Sequence, residues 1–178
     1  MSAPGVKPFL PVLVGGDIGT YAMARAFFER YGVTSVVLSE DLTGPIGNSA
    51  FIDVQVVSLG STHSQVAEQL VHVAQGLREK IGTGVSLLLL TNSDWYVESI
   101  AAERAALEPW YKLTVPTLDT FTLVGDKVSF NQIAQRVGMR IPQTVVANFQ
   151  DADAPGWQPP EISLRFPDST NFPAFITE

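Results

Sequence analysis

Short apolar runs alternate with longer amphipathic segments from Phe9 to Val115, and this alternation constrains the fold more than any other feature of the chain. It predicts strands at residues 9–14, 35–38, 52–58, 85–90 and 113–115, and helices at residues 18–31, 62–81 and 95–107. Strands that alternate with helices pair in parallel and carry helices on both faces. We therefore predict an α/β fold with a Rossmann-like parallel sheet, in which the very apolar strand at 85–90 is central.

Two of the predicted helices have a recognisable apolar face. In the first, the side chains expected to point inward are Tyr21, Ala24, Phe28 and Tyr31. In the second they are Val66, Leu70, Val73, Leu77 and Ile81. Both faces are expected to pack against the sheet.

The composition excludes several classes of protein. With 178 residues and 46% hydrophobic content, the chain is one globular domain or one domain plus a piece of another. Its net charge of −7 argues against binding to nucleic acid or to an anionic membrane. The absence of cysteine excludes disulfides, thiolate metal sites and a cysteine nucleophile, and two histidines are too few for a zinc site. We assign no metal ligand and no catalytic residue.

The N-terminal residues do not have the pattern of a signal peptide, and no run in the sequence is long enough for a membrane span. We therefore expect a cytoplasmic protein with no membrane insertion.

A later segment, GDKVSFNQIAQRVGMRIPQT from Gly125 to Thr144, predicts one more helix. Asp126 can cap its start, and Gly138 and Pro142 end it. Lys127 then lies in the first turn, where a cation opposes the helix dipole. A bound anion would reverse the sign of that interaction, although an exposed lysine that tolerates a small cost is an equal alternative.

This segment resembles the helix that leads into the fold of the ATP-grasp superfamily, in which "DK" precedes an amphipathic helix, a glycine and "P-x-T". Residues 9–32 are similar to the opening of D-aspartate ligase-like carboxylate–amine ligases of that superfamily. The resemblance implies a pre-ATP-grasp domain at residues 1–118 and the start of an ATP-grasp domain at residues 119–178. It also implies that Lys127 contacts the phosphates of ATP.

Such ligases use ATP and Mg²⁺ to convert a carboxylate into an acylphosphate, which an amine then attacks to form an amide. The resemblance implies an amino-acid substrate of the D-aspartate type and a peptidoglycan precursor as a possible partner. The sequence lacks the glycine-rich phosphate loop and the late magnesium-binding acids, and Thr177 follows Phe172-Pro173 where a lysine is expected. We expect the magnesium ligands beyond Glu178, and we expect this chain alone to be inactive.

Three loops are expected at the carboxyl ends of the strands, where parallel sheets bind ligands. The first contains Gly16 and Asp17, the second Asn92 and Asp94, and the third Glu40. Gly16 would let a ligand approach the backbone. Asp17, Asn92 and Asp94 are either helix caps or groups that recognise an amino-acid substrate. Glu40 is either a solvated acid or, in a dinucleotide enzyme, the group that binds a ribose.

Two other classes of function stay open. One is a nicotinamide-dependent oxidoreductase domain, although the loop from Gly15 to Gly19 does not follow the G-x-G-x-x-G pattern. The other is a non-catalytic module for binding or dimerisation. The open edge of an incomplete sheet favours association, so a homo-oligomer is possible on this interpretation.

Overall fold

The computed structural model describes residues 8–141 and Gly156, and the described strands form one five-stranded sheet. Its members are β1 (Phe9–Val14), β2 (Ser35–Ser39), β3 (Ile52–Val56), β4 (Ser86–Thr91) and β5 (Lys112–Leu113). The strand order is β3-β2-β1-β4-β5 and every pair is parallel. This confirms the prediction of a Rossmann-like α/β fold. β4 is paired on both sides, but the middle strand is β1.

Seven helices are described: α1 (Ile18–Tyr31), α2 (Gly44–Gly47), α3 (His63–Ile81), α4 (Asp94–Ala102), α5 (Arg104–Leu107), α6 (Leu118–Gly125) and α7 (Lys127–Arg136). The prediction of one continuous helix over residues 95–107 was wrong, because the chain leaves helical geometry at Glu103 (φ −102°, ψ 24°). The next residue, Arg104, donates hydrogen bonds to the carbonyls of Val115 and Pro116 at 2.7 and 2.8 Å. The broken helix is thereby tied to the segment that follows β5.

The core has one layer on each face of the sheet, because successive side chains of a strand point to opposite faces. In β1, Val12 and Val14 face the layer that contains α3, and Leu13 faces the layer that contains Ala24 of α1. All five residues of β2 are buried. Burial of this kind contributes about 25 cal/mol for each Å² of apolar surface removed from water. Apolar side chains therefore cover the sheet on both of its faces.

The apolar faces of α1 and α3 were predicted correctly except near the helix ends. In α3 the first four predicted positions are buried, but Ile81 in the last turn is 37% exposed. In α1, Ala24 is buried, whereas Phe28 is 44% exposed and stacks on Phe51 with ring centroids 5.1 Å apart. Phe28 therefore packs against the residue before β3 and not against the centre of the sheet.

The chain divides into two compact units, residues 1–124 and 125–178, of which the second contains α7. The sequence also predicts short strands at residues 145–147 and 174–176, but these residues lie outside the described part of the chain, and so does Thr177. In the part of the chain that the structure describes, no helix is both long enough and apolar enough to cross a bilayer.

Candidate functional site

The candidate site lies where the carboxyl ends of β1 and β4 meet. From β1 the chain passes through α1 to β2 on one side, and it returns through α3 to place β4 on the other side. Doubly wound sheets bind ligands at such a reversal of strand order. The loop after β1 (residues 15–17), the first turn of α1 and the loop after β4 (residues 92–93) border this point, which we call the β1–β4 crevice.

Asp17 caps α1 at the crevice. Its Oδ1 accepts the backbone N–H of Thr20 at 2.8 Å, and its own backbone is extended (φ −96°, ψ −178°). The capping interpretation of Asp17 is thus confirmed, and its side chain is still exposed to solvent. A dinucleotide pyrophosphate would need this same helix N-terminus. Because the Asp17 carboxylate already occupies it, the geometry disfavours the oxidoreductase alternative.

Asn92 connects the two loops across the crevice. Its Nδ2 donates to Asp17 Oδ2 at 2.8 Å, and its Oδ1 lies 3.1 Å from Thr20 Oγ1. Of the four residues predicted to bind substrate, the structure therefore brings two, Asp17 and Asn92, into direct side-chain contact. Whether they bind substrate stays a prediction.

Thr20 is the member of this network that sequence analysis missed. Its side chain is fully buried, and its hydroxyl lies 3.0 Å from Asp17 Oδ1 as well as 3.1 Å from Asn92 Oδ1. The single hydroxyl proton can be donated to either oxygen. A polar residue three positions after an N-cap resembles a capping box, and this spacing was the available signal.

The glycines of the first loop make room for the protein's own side chains. Gly15 also has a positive φ of 136°, which favours glycine. A Cβ added at Gly15 or Gly16 in this loop would lie 2.6 Å from Thr20 Oγ1 or 2.3 Å from Ser39 Oγ. One added at Gly19, in the first turn of α1, would lie 2.4 Å from Asn92 Nδ2. The carbonyl oxygen of Gly16, a predicted substrate contact, accepts the hydroxyl of Thr43 at 2.7 Å. Tight packing is therefore sufficient reason for these glycines, and no ligand is needed to explain them.

The hydrogen bonds to Asp17 keep it ionised. The backbone N–H of Thr20 and then the side chain of Asn92 lower the pKa of Asp17, and they outweigh the desolvation that opposes them. Three further exposed acids, Glu40, Asp41 and Asp94, follow β2 and β4 at the same edge. No lysine or arginine occurs in residues 15–19, 40–43 or 91–94. The loops around the crevice therefore carry negative charge.

Asp94 and Glu40 do not join the network of Asp17 and Asn92. Asp94 is the first residue of α4, and in the described part of the chain its carboxylate makes no hydrogen bond. A carboxylate in the first turn is favourable with the helix dipole, which explains Asp94 without a ligand. Desolvation, and after it the charge of Glu40, raise the pKa of the Tyr96 phenol.

His63 joins the start of α3 to α4. Its Nδ1 lies 2.9 Å from the Ser99 hydroxyl, which donates to the carbonyl of Trp95 at 2.8 Å. The imidazole also packs on the indole of Trp95, with ring centroids 4.6 Å apart. Ser99 is buried and its proton is already donated, so this pair has a structural role. Among the described residues, no cluster of three or more His, Cys, Asp and Glu side chains is arranged to hold a metal ion.

Lys127 lies in the second unit, at the first position of α7. Asp126 caps this helix by accepting the N–H of Ser129 at 2.7 Å. Hydrogen bonds from the side chain and then the backbone of Ser129 lower the pKa of Asp126. Lys127 is exposed, and within residues 8–141 its ammonium forms no ion pair. It can thus contact a phosphate as a single point charge, whereas the helix N-terminus itself is already partly satisfied by Asp126.

Comparison with known proteins shows a distant similarity to a ligase. The chain is 24% identical over 161 residues to the D-aspartate ligase of Enterococcus faecium (strain Aus0004). The match covers 90% of this chain but 38% of that protein, so the chain spans well under half of the relative's length. No protein-family model matches the sequence. The chain therefore has a distant similarity to a ligase, and this agrees with the resemblance noted in its sequence.

Proposed function

We propose that this chain is part of an ATP-dependent carboxylate–amine ligase that forms an amide through an acylphosphate. One observation carries the proposal: the similarity to a D-aspartate ligase extends over 90% of the chain. The substrate class that follows is an amino acid of the D-aspartate type, with a peptidoglycan precursor as the amine-bearing partner. On this proposal ATP and Mg²⁺ are required, and the chain by itself does not turn over.

The β1–β4 crevice is the proposed site for the ammonium group of the amino acid. Asp17 Oδ1 accepts hydrogen bonds from the backbone N–H and the hydroxyl of Thr20, and Oδ2 accepts the Asn92 amide. A carboxylate has about four lone-pair positions, so at least one position on Oδ2 stays free for a substrate N–H. Because Asp17 is held by Thr20 and Asn92, this position is fixed before the substrate arrives.

The charge of the surrounding loops supports the same assignment. Asp17, Glu40 and Asp94 attract an ammonium group and repel phosphate, since no described cation lies in those loops. The phosphates of ATP therefore require a different location. Lys127 is the residue proposed for them, because it is an exposed cation and makes no ion pair with a described acid.

Steady-state kinetics of the intact protein can distinguish the proposed role of Asp17, in binding the amino acid, from that of Lys127, in binding ATP. Asp17→Asn keeps an N-cap of equal quality but loses the charge, so it should raise the KM for the amino acid and leave the KM for ATP unchanged. Lys127→Gln should raise the KM for ATP by about tenfold or more, because one charge-assisted contact is lost, and it should leave the KM for the amino acid unchanged. The assay measures ADP release at varied ATP and D-aspartate concentrations.

Matched controls come from the end of the sheet opposite the crevice, where the strands begin. Glu79 and Lys80 are exposed near the end of α3, so Glu79→Gln and Lys80→Gln remove the same charges far from the carboxyl ends of the strands. Both should leave the two KM values unchanged. If the two site variants have kinetics indistinguishable from these controls, the residue assignments are wrong.

A further inference from the structure

The outer edge of β3 is the open edge of this sheet. β3 pairs with β2 on one side only, and no other described strand pairs with its outer side. The opposite edge strand, β5, is two residues long, whereas β3 has five residues. Short edge strands are one way in which proteins prevent pairing with another chain, and β3 lacks this protection as well as any proline or lysine.

The backbone of β3 presents hydrogen-bonding groups on its free side. Ser35 N–H donates to the carbonyl of Phe51, and Val57 N–H donates to the carbonyl of Ser39. These bonds fix the alternation of the parallel ladder. The backbone N–H and C=O groups of residues 51, 53, 55 and 57 therefore point toward β2. Residues 52, 54 and 56 consequently point away from it. Of their N–H groups, that of Ile52 is already bonded to Ser49 at 3.3 Å.

We propose that β3 pairs antiparallel with β3 of a second copy of this chain, about a two-fold axis at Val54. The reason to choose a second copy is that the strand, IDVQV, is complementary to itself in this register. Val54 lies opposite Val54 of the partner subunit, and Ile52 lies opposite Val56 of the partner subunit. The backbone groups of all three residues point outward. The Val54 pair can therefore exchange both of its hydrogen bonds. Ile52, whose N–H bonds to Ser49, can only accept the N–H of Val56 of the partner subunit.

The charges also fit this register. Asp53 lies opposite Gln55 of the partner subunit and not opposite the partner's Asp53, so the only ionised side chain of the strand meets a neutral amide. Isologous contacts of this kind close as C2 dimers. Because 53 and 55 form a non-hydrogen-bonded pair, their side chains are close together and sensitive to charge.

Apolar surface beside the strand extends the interface. Val56 is 59% exposed, and Phe28, which stacks on Phe51 just before the strand, is 44% exposed. A groove of about 510 Å³ lined in part by Ile18, Tyr21 and Phe51 continues from there. Strand pairing alone would bury less than the roughly 1,200–2,000 Å² of a stable interface, and this surface supplies the additional area.

Charge changes at Gln55 test the register in the intact protein. Sedimentation equilibrium should show a monomer–dimer equilibrium that Gln55→Asp weakens and Gln55→Lys strengthens, each by about tenfold for the two symmetric pairs together. Gln55→Asn is the uncharged control and should have little effect. Combining Asp53→Asn with Gln55→Asp should restore association, because each charge again faces an amide, and a merely structural role for Gln55 would give no such rescue.

Cross-linking gives an independent test, since the chain has no native cysteine. Val54→Cys places two thiols across the two-fold axis at a Cα separation of about 5.5 Å, which a disulfide can bridge. Val56→Cys is the control: its two copies would be roughly four residues apart along the strands, or about 14 Å. Rapid cross-linking of Val54→Cys alone supports the pairing. A strictly monomeric protein, or faster cross-linking of the more exposed Val56→Cys, would overturn it.

Discussion

Replacement of Asp17 by alanine should destabilise the first unit by about 1.5–2 kcal/mol. The change leaves the N–H of Thr20 without its cap, which costs about 1 kcal/mol. It also removes the acceptor of the Asn92 amide, a bond of about 0.5–1 kcal/mol net since both groups are exposed. Asp17→Asn keeps the capping oxygen and should cost roughly 1 kcal/mol less than the alanine variant.

Urea unfolding monitored by far-UV circular dichroism measures these differences. Asp41→Ala is the control, because Asp41 is an exposed acid at the same edge and its carboxylate makes no hydrogen bond in the described part of the chain. Its effect should stay within about 0.5 kcal/mol, as for ordinary surface substitutions. An Asp17→Ala variant as stable as the Asp41→Ala control would refute the argument that Asp17 organises the crevice.

The same carboxylate should make stability depend on pH. The pKa of Asp17 is lowered below 3.8 in the folded protein, so its contribution to stability is complete above pH 3.8 and is lost as the pH falls through the lower folded value. The stability advantage of the wild type over Asp17→Asn should therefore shrink as the pH is lowered below about 4. An advantage that stays constant or grows on acidification would contradict this assignment of charge.

Two further substitutions test the packing around the site. Gly16→Ala should destabilise the protein by about 1–3 kcal/mol because the new Cβ would lie 2.3 Å from Ser39 Oγ, whereas Gly84→Ala, with no neighbour within 4 Å, should be nearly neutral in urea unfolding. Tyr111→Phe should cost about 1 kcal/mol, since the buried Tyr111 hydroxyl donates to the carbonyl of Leu70 at 2.7 Å; a variant as stable as the wild type would show that this bond contributes nothing.

The strand–helix alternation predicted the fold well because periodicity reports burial directly. Each of the five strands was found near its expected position, and β1 and α1 match the predicted bounds. The break at Glu103 was not predictable in the same way. It coincides with contacts of Arg104 to carbonyls eleven and twelve residues later, and periodicity carries no information about such contacts.

The site was only partly predictable from the sequence. Position after a strand was enough to select Asp17 and Asn92, because parallel strands bring their carboxyl ends to one edge. The bond between them spans 75 residues of sequence, and the buried hydroxyl of Thr20 that supports it became visible only in the structure. Asp94 satisfied the same positional rule, but α4 begins at that residue and it is not part of the network.

Transfer of oxygen from a carboxylate to phosphate tests the proposed reaction most directly. The intact protein would be incubated with ATP, Mg²⁺, an amine acceptor and D-aspartate that carries heavy oxygen in its carboxylates, and the released phosphate would be analysed by mass spectrometry. An acylphosphate pathway predicts one labelled oxygen in each phosphate formed, together with one amide. ADP formation with unlabelled phosphate, or no amide-linked turnover at all, would contradict the proposal that this chain is part of a carboxylate–amine ligase.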